Sequence, residues 1–200
     1  MKSVLRKVEE WFDTNPDGWT TPEFAELLVA TVFSLRPKVC LEVGVWGGRS
    51  LIPVAMALKA LDYGMIIGVD PWSAAESVKG QTGANREWWD NQAMHDQVRS
   101  RFDHALTMFQ LHPYVVIERK PSGDVNPPVS IDFLNIDGNH GETATHDVVK
   151  FAKRVSPGGM CYLDDIDWDG GTVTDASKLL ESYGFKRVYN IQRGAMFQRK

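Results

Sequence analysis

Four short stretches of this chain hold residues whose types and spacing could do chemistry. The first is Glu42-Val43-Gly44-Val45-Trp46-Gly47-Gly48-Arg49-Ser50. An apolar run ends in an acid, glycines follow, and a helical pattern begins. That order reads as a buried strand, a glycine turn and a helix start, which can hold a nucleotide-like ligand against free backbone amides. The glycine spacing is not G-x-G-x-x-G, which disfavours a nicotinamide dinucleotide. A tight turn without a ligand is the plain alternative.

The second is Asp70, at the end of the next apolar run, placed to accept hydrogen bonds from two ribose hydroxyls. Trp72 follows and could pack on a flat base. The third is a set of acids, Asp137, Asp164 and Asp165, each after an apolar run. If those runs are neighbouring strands, the carboxylates converge and repel. A hard divalent cation such as Mg²⁺, Ca²⁺ or Mn²⁺ would relieve that repulsion. The plain alternative is that one of the acids caps a turn or helix. The fourth is His140, three residues after Asp137, suited by its ordinary pKa to act as a general base. A polar loop histidine is the competing reading.

These residues need elements to position them. Apolar runs at Lys38–Val43, Met65–Asp70, Tyr114–Glu118, Ile131–Ile136 and Met160–Leu163 read as strands. Helical patterns at Ser50–Asp62, Arg86–Gln110, Glu142–Val155 and Thr172–Ser182 alternate with them. Phe185–Tyr189 and Ala195–Arg199 read as a final antiparallel pair. Residues 3–13 read as one helix ahead of the first strand, and Thr20-Thr21-Pro22-Glu23 opens a second that Arg36-Pro37 ends; a threonine caps it, and proline fits its first turn. Pro71–Asn85 and Lys120–Ser130 read as loops.

The expected architecture is α/β: a Rossmann-like, seven-stranded, mostly parallel sheet with an antiparallel last strand, helices on both faces and an N-terminal helical cover. One domain is expected over 1–200, with the cover at 1–36 and the core at 38–200. Ligands of such sheets bind outside the carboxyl ends of the strands, where every acid named above falls.

Composition agrees with a globular chain. Of its 200 residues 43% are hydrophobic and 24% charged. A net charge of −4 argues against a nucleic-acid clamp. No apolar run has transmembrane length, and the first residues lack a signal-peptide core, so a cytoplasmic protein without membrane contact is expected. Cys40 and Cys161 fall in expected strands; if another strand separates them, roughly 9–10 Å lies between them, too far for a disulfide. Both read as buried thiols.

Together, Leu41–Ser50, Gly68-Val69-Asp70-Pro71-Trp72, Asn135-Ile136-Asp137-Gly138-Asn139-His140 and Leu163-Asp164-Asp165 resemble a class I S-adenosylmethionine-dependent methyltransferase. The resemblance is to the macrocin-type sugar O-methyltransferases and related antibiotic-tailoring enzymes, and it spans roughly residues 38–170. It implies that Glu42, Gly44 and the Val45-Trp46-Gly47 turn hold the methionine part of the cofactor, with Ser50 near its carboxylate. Asp70 would take the ribose, Trp72 would lie near the adenine, and Ser122 at its edge. Asp137, Asp164 and Asp165 would hold Mg²⁺ or another hard divalent cation. His140 matches the base of some relatives; others use a carboxylate where this chain has Asn139.

The implied reaction is attack of a substrate hydroxyl on the sulfonium methyl, with a metal lowering the hydroxyl pKa and the Pro71–Trp89 segment as a lid. The acceptor would be a small hydroxylated molecule, such as a sugar or natural product. A homo-oligomer is compatible with the sequence. Two rivals are a metal-dependent hydrolase or oxygenase using the same acids, and a non-catalytic nucleoside-binding relative. One nearby histidine is too few for an iron oxygenase.

Overall fold

The computed structural model describes residues 1–139, 143–167 and 172–200. Helix α1 (Lys2–Phe12) buries Val4, Val8, Trp11 and Phe12 along one stripe. Helix α2 (Pro22–Leu35) starts where the Phe24 amide donates to the Thr21 hydroxyl, and its C-cap, Arg36, is left-handed. Strand β1 (Val39–Val43), helix α3 (Leu51–Leu61) and strand β2 (Met65–Val69) form the first parallel unit. Helices α4 (Ala74–Ser77), α5 (Gly83–Trp89) and α6 (Gln92–Met108) lead to β3 (Val115–Glu118). Then come β4 (Ile131–Ile136), α7 (Thr143–Phe151), β5 (Val155–Leu163), α8 (Val173–Ser182), β6 (Phe185–Ile191) and β7 (Gly194–Arg199).

The strands form one sheet in the order β3-β2-β1-β4-β5-β7-β6. Pairings from β3 through β5 are parallel, and β7 is antiparallel to both neighbours. This is the expected Rossmann-like α/β arrangement. Helices cover both faces. On one, α1, α2, α3 and α6 pack against Cys40, Ile66, Phe133 and Tyr162. On the other, α7 and α8 pack against Leu41, Leu134, Cys161 and Phe197. Alternate residues of each strand thus face opposite layers, as strand pleating requires. The cover helices pack on the sheet side: Phe24 of α2 lies with its ring centroid 4.3 Å from that of Tyr162. Cys40 and Cys161, on β1 and β5 with β4 between them, are free and buried.

The structure departs from the sequence reading in two places. Pro71–Asn85 is not only loop, and Arg86–Gln110 is not one helix. The chain breaks at Asp90, and the Asn91 side chain accepts from the Met94 amide at 3.1 Å, capping a new helix. Trp88 and Trp89 therefore sit on a separate short helix. In addition, Val155 begins β5 rather than ending a helix, and the Ser156–Gly159 turn is absorbed into that strand beside a register irregularity. No helix among the described residues is long and apolar enough to cross a membrane.

Candidate active site

A cleft of about 790 Å³ opens at the carboxyl ends of β1, β2, β4 and β5. Its floor is the glycine turn. Gly44 has φ +86°, and a Cβ there would lie 2.0 Å from the Asp137 carbonyl oxygen. A Cβ on Gly47 would lie 2.3 Å from the Asp17 carbonyl oxygen. These glycines are therefore required by close backbone approaches within the chain itself.

Asp70 organises the turn. Its Oδ2 accepts from the amides of Val45 and Trp46, both at 2.9 Å. Its Oδ1 accepts from the Trp72 amide at 2.7 Å. Burial pushes the carboxyl pKa up, and the three amides pull it back down. Asp70 lines the cleft as expected, but much of its hydrogen-bonding capacity is spent on backbone amides. Trp72 does not line the cleft. It is 1% exposed, stacks on Phe102 at 5.6 Å between centroids, and donates its indole N–H to the Trp46 carbonyl at 3.0 Å. It is a core residue in this structure and offers no face to a base.

Glu42 lies beneath the cleft rather than in its wall. Its Oε1 accepts from the Ser50 hydroxyl at 2.8 Å and its Oε2 from the Asn135 side-chain amide at 2.9 Å. Full burial raises its carboxyl pKa to about 7, against the two hydrogen bonds. Ser50 does line the cleft, so Glu42 can act on a ligand only through Ser50. Asn135 was missed by the sequence reading; a polar residue inside the apolar run of β4 was the available signal.

Asp137, Asp164 and Asp165 all line the cleft. The structure brings Asp137 and Asp164 into hydrogen-bonding contact. Burial first, then the charge of Asp164, drives the Asp137 pKa well above the usual carboxylate range. The Tyr162 hydroxyl donates to Asp164 Oδ1 at 2.6 Å. Asp165 is pulled differently: its Oδ1 lies 3.3 Å from Nε of Arg193. Among the described residues no group of three or more His, Cys, Asp or Glu side chains is arranged to hold a metal ion. Asp137 and Asp164 bring two carboxyl groups side by side at the cleft. His140 lies outside the described residues. Its neighbour Asn139 clasps the α4 segment, donating to the carbonyls of Ser77 (3.2 Å) and Lys79 (2.8 Å) and accepting from Gln81 (3.1 Å).

Tryptophans build one wall. Trp46 of the turn, Trp88 and Trp89 of α5 and Trp19 of the N-terminal segment all line the cleft. Their ring centroids lie 4.6 to 6.0 Å apart across the Trp88–Trp89 and Trp19–Trp89 pairs. His95 of α6 packs on Trp46 at 5.0 Å and donates from Nε2 to the Trp89 carbonyl at 3.0 Å. Arg49 ties Trp19's segment down, donating to the carbonyls of Thr20 and Asn15 with its guanidinium 4.0 Å above Phe12. Ser122, after β3, also lines the cleft, as does Asp147 of α7. The sequence reading missed Trp19, Arg49 and Asp147, because nothing local marks residues that meet only in the folded chain.

A parallel sheet with a glycine turn after β1 and acids after β2, β4 and β5 is the architecture of a class I methyltransferase. A family profile described as a methyltransferase domain matches residues 41–166, and the chain belongs to that family. The resemblance to class I S-adenosylmethionine-dependent methyltransferases read from the sequence stands, and the protein is a methyltransferase.

Solved structures share the fold. The O-methyltransferase TomG from Streptomyces achromogenes, involved in tomaymycin synthesis and solved with SAM, is 16% identical, with a TM-score of 0.63 over 97% of this chain and 87% of its own. An O-methyltransferase from Bacillus cereus in complex with SAH is 14% identical, with a TM-score of 0.62 over 98% and 89%. The SAH-bound methyltransferase PaMTH1 from Podospora anserina is 12% identical, with a TM-score of 0.66 over 98% and 88%. No curated protein sequence matches this chain.

Proposed function

We propose that the protein binds S-adenosylmethionine in the cleft and methylates a hydroxyl of a small molecule, assisted by Mg²⁺ or another hard divalent cation. The observation that carries this reading is that the Asp137–Asp164 pair and the Val45–Gly47 turn line one cleft. The fold shared with SAM- and SAH-bound methyltransferases supports the choice of cofactor.

When bound, the cofactor supplies an electrophilic methyl group and the cation acidifies the acceptor hydroxyl. The chain's own residues do the rest. Asp70 fixes the turn that receives the cofactor by holding the amides of Val45 and Trp46. Glu42 orients the Ser50 hydroxyl at the cleft wall. Asp137 and Asp164 would hold the cation, whose charge would offset their mutual repulsion. Asp165, ion-paired with Arg193, is a third ligand only if that pair yields to the cation. His140 would take the hydroxyl proton.

Trp88 and Trp89 of α5 line the cleft, and closure of the Pro71–Trp89 segment over bound reactants would exclude water and strengthen the electrostatics inside it. Much of the rate enhancement then comes from aligning the two reactants. The chain is read as one functional unit, the 1–36 cover included. A cytoplasmic setting belongs to this reading, and two unpaired thiols are in keeping with it.

The test is transfer of labelled methyl from S-adenosylmethionine to a panel of sugars, diols and catechols, with Mg²⁺ and with a chelator. Asp137→Asn and Asp164→Asn should each lower turnover by 100-fold or more, the scale of losing a metal-dependent electrostatic contribution. Turnover that is indifferent to chelator and to both substitutions overturns the metal part of the proposal. No transfer to any hydroxyl alongside transfer to an amine or thiol overturns the acceptor part.

A further inference from the structure

Helix α5 carries Trp88 and Trp89 of the cleft wall, yet none of its seven residues is buried. In the whole arm that α4 and α5 form, residues 74–89, only Ala74 and Val78 are buried. Core packing does little to hold such a segment, so its place beside the cleft depends on hydrogen bonds. Its trailing end is fixed where His95 of α6 donates to the Trp89 carbonyl at 3.0 Å.

The leading end is fixed by Asn139, from the loop after β4. Its side-chain nitrogen donates to the carbonyls of Ser77 and Lys79, at and just past the end of α4. Carbonyls there lack partners within their own helix. Its side-chain oxygen accepts from Gln81, and Gln81 accepts from Asn85 of α5 at 2.6 Å. One hydrogen-bonded chain thus runs from the loop after β4 to the helix that bears the tryptophans. The loop itself is a firm post. The Asp137 amide donates to the Val43 carbonyl at 2.8 Å, and the Asn139 carbonyl accepts from the Thr143 hydroxyl at the start of α7.

We propose that Asn139 is a positioning residue: it latches the leading end of the arm to the loop after β4 and so sets where Trp88 and Trp89 stand for the methyl acceptor. The acceptor part rests on the methyl-transfer reading given under Proposed function; the latch itself does not. An amide suits the task because it both donates and accepts. A carboxylate at this position would set acceptor oxygens against the two carbonyls of the arm, with no proton between them, and would release it.

Hydrogen exchange of the full chain, read by mass spectrometry, tests the latch. In Asn139→Ala and Asn139→Asp the amides of residues 76–87 should exchange at least about ten-fold faster than in wild type, while the strands keep their protection. With the best acceptor of the methyl-transfer panel, both variants should raise the acceptor KM more than they lower kcat. Unchanged exchange of residues 76–87 in either folded variant overturns the latch and leaves the methyl-transfer reading intact. A loosened arm with an unchanged acceptor KM overturns its part in positioning. Faster turnover by Asn139→Asp than by wild type does the same, since it marks the position as one for a proton acceptor. If neither variant folds, Gln81→Ala decides: faster exchange at residues 82–89 supports the latch, and unchanged exchange overturns it. If wild type transfers methyl to nothing in the panel, the methyl-transfer reading and the acceptor part fall together, and exchange still decides the latch.

Discussion

Glu42 is buried without a cationic partner, and two neutral donors hold it at the head of the glycine turn. Its pKa is raised from 4.5 to about 7 in the folded chain. Between those values the folded state keeps a proton that the unfolded state has released. Glu42 therefore favours folding below about pH 4.5, and that contribution is lost as pH rises through about 7. The slope is at most roughly 1.4 kcal/mol per pH unit for one group. Glu42→Gln should flatten this fall in stability, measured by urea unfolding of both proteins from pH 4 to 8. An unchanged slope would mean that Glu42 ionises in the fold as freely as it does in the unfolded chain. Gly44 carries a second prediction at this scale. Gly44→Ala places a Cβ 2.0 Å from the Asp137 carbonyl at a left-handed φ. It should cost more than about 3 kcal/mol or abolish folding, read from the same urea curves.

Among the elements, the segment between α1 and α2 is tied down by two arginines. Arg49, from the turn after β1, donates to the carbonyls of Asn15 and Thr20 and covers Phe12. Asp17 is further held by Arg101 of α6 through two hydrogen bonds. Arg49→Ala should cost about 1–3 kcal/mol through its lost bonds to the two carbonyls. It should also open residues 13–21 to protease first; limited proteolysis with mass spectrometry locates the cut. A first cut elsewhere would show that the segment is held by other contacts.

Much of the element order was legible in the sequence because buried parallel strands are written as continuous apolar runs. Each run from Lys38 to Leu163 overlapped a strand, with Lys38 and Tyr114 left outside, and the acids that follow β2, β4 and β5 fell at the carboxyl ends of the sheet. The break at Asp90 was not legible, since apolar residues on either side, from Trp88 to Val98, keep helical spacing and only the Asn91 cap marks the stop. Trp72 misled for a related reason. Its type suits a base, but the Asp70 carboxylate binds its amide and the indole fills the core beside Phe102. The pairing of Glu42 with Asn135 spans 93 positions and has no local signature.

For the whole molecule, the sheet's two faces are closed by helices, and the cleft lies where β1 meets β4, the point at which the strand order reverses. The strands stay parallel there, but the crossovers lead away to opposite sides, β2 and β3 on one and β5 on the other, so the loops after β1 and β4 leave a crevice between them. A ligand held there bridges both halves of the sheet. Bound S-adenosylhomocysteine should therefore raise the melting temperature in a concentration-dependent way, by about 2.7 kcal/mol of added stability at 100 times its Kd. The same cleft carries the tryptophan wall, in which Trp88 is 44% and Trp19 67% exposed. Trp19→Ala and Trp88→Ala should leave stability within about 1 kcal/mol, as substitutions of partly exposed groups do. They should raise the acceptor KM more than they lower kcat, as steady-state kinetics with the best acceptor of the panel would show.

The central claim is that the turn after β1, held by Asp70, is the seat of the methyl donor. Isothermal titration of the full chain with S-adenosylhomocysteine addresses it without any knowledge of the acceptor. Saturable binding at one site per chain, weakened at least about ten-fold in Asp70→Ala, is the predicted result, since loss of that carboxylate frees the amides of Val45 and Trp46 from their fixed positions. No heat of binding to the wild type, or binding that Asp70→Ala leaves untouched, would contradict it.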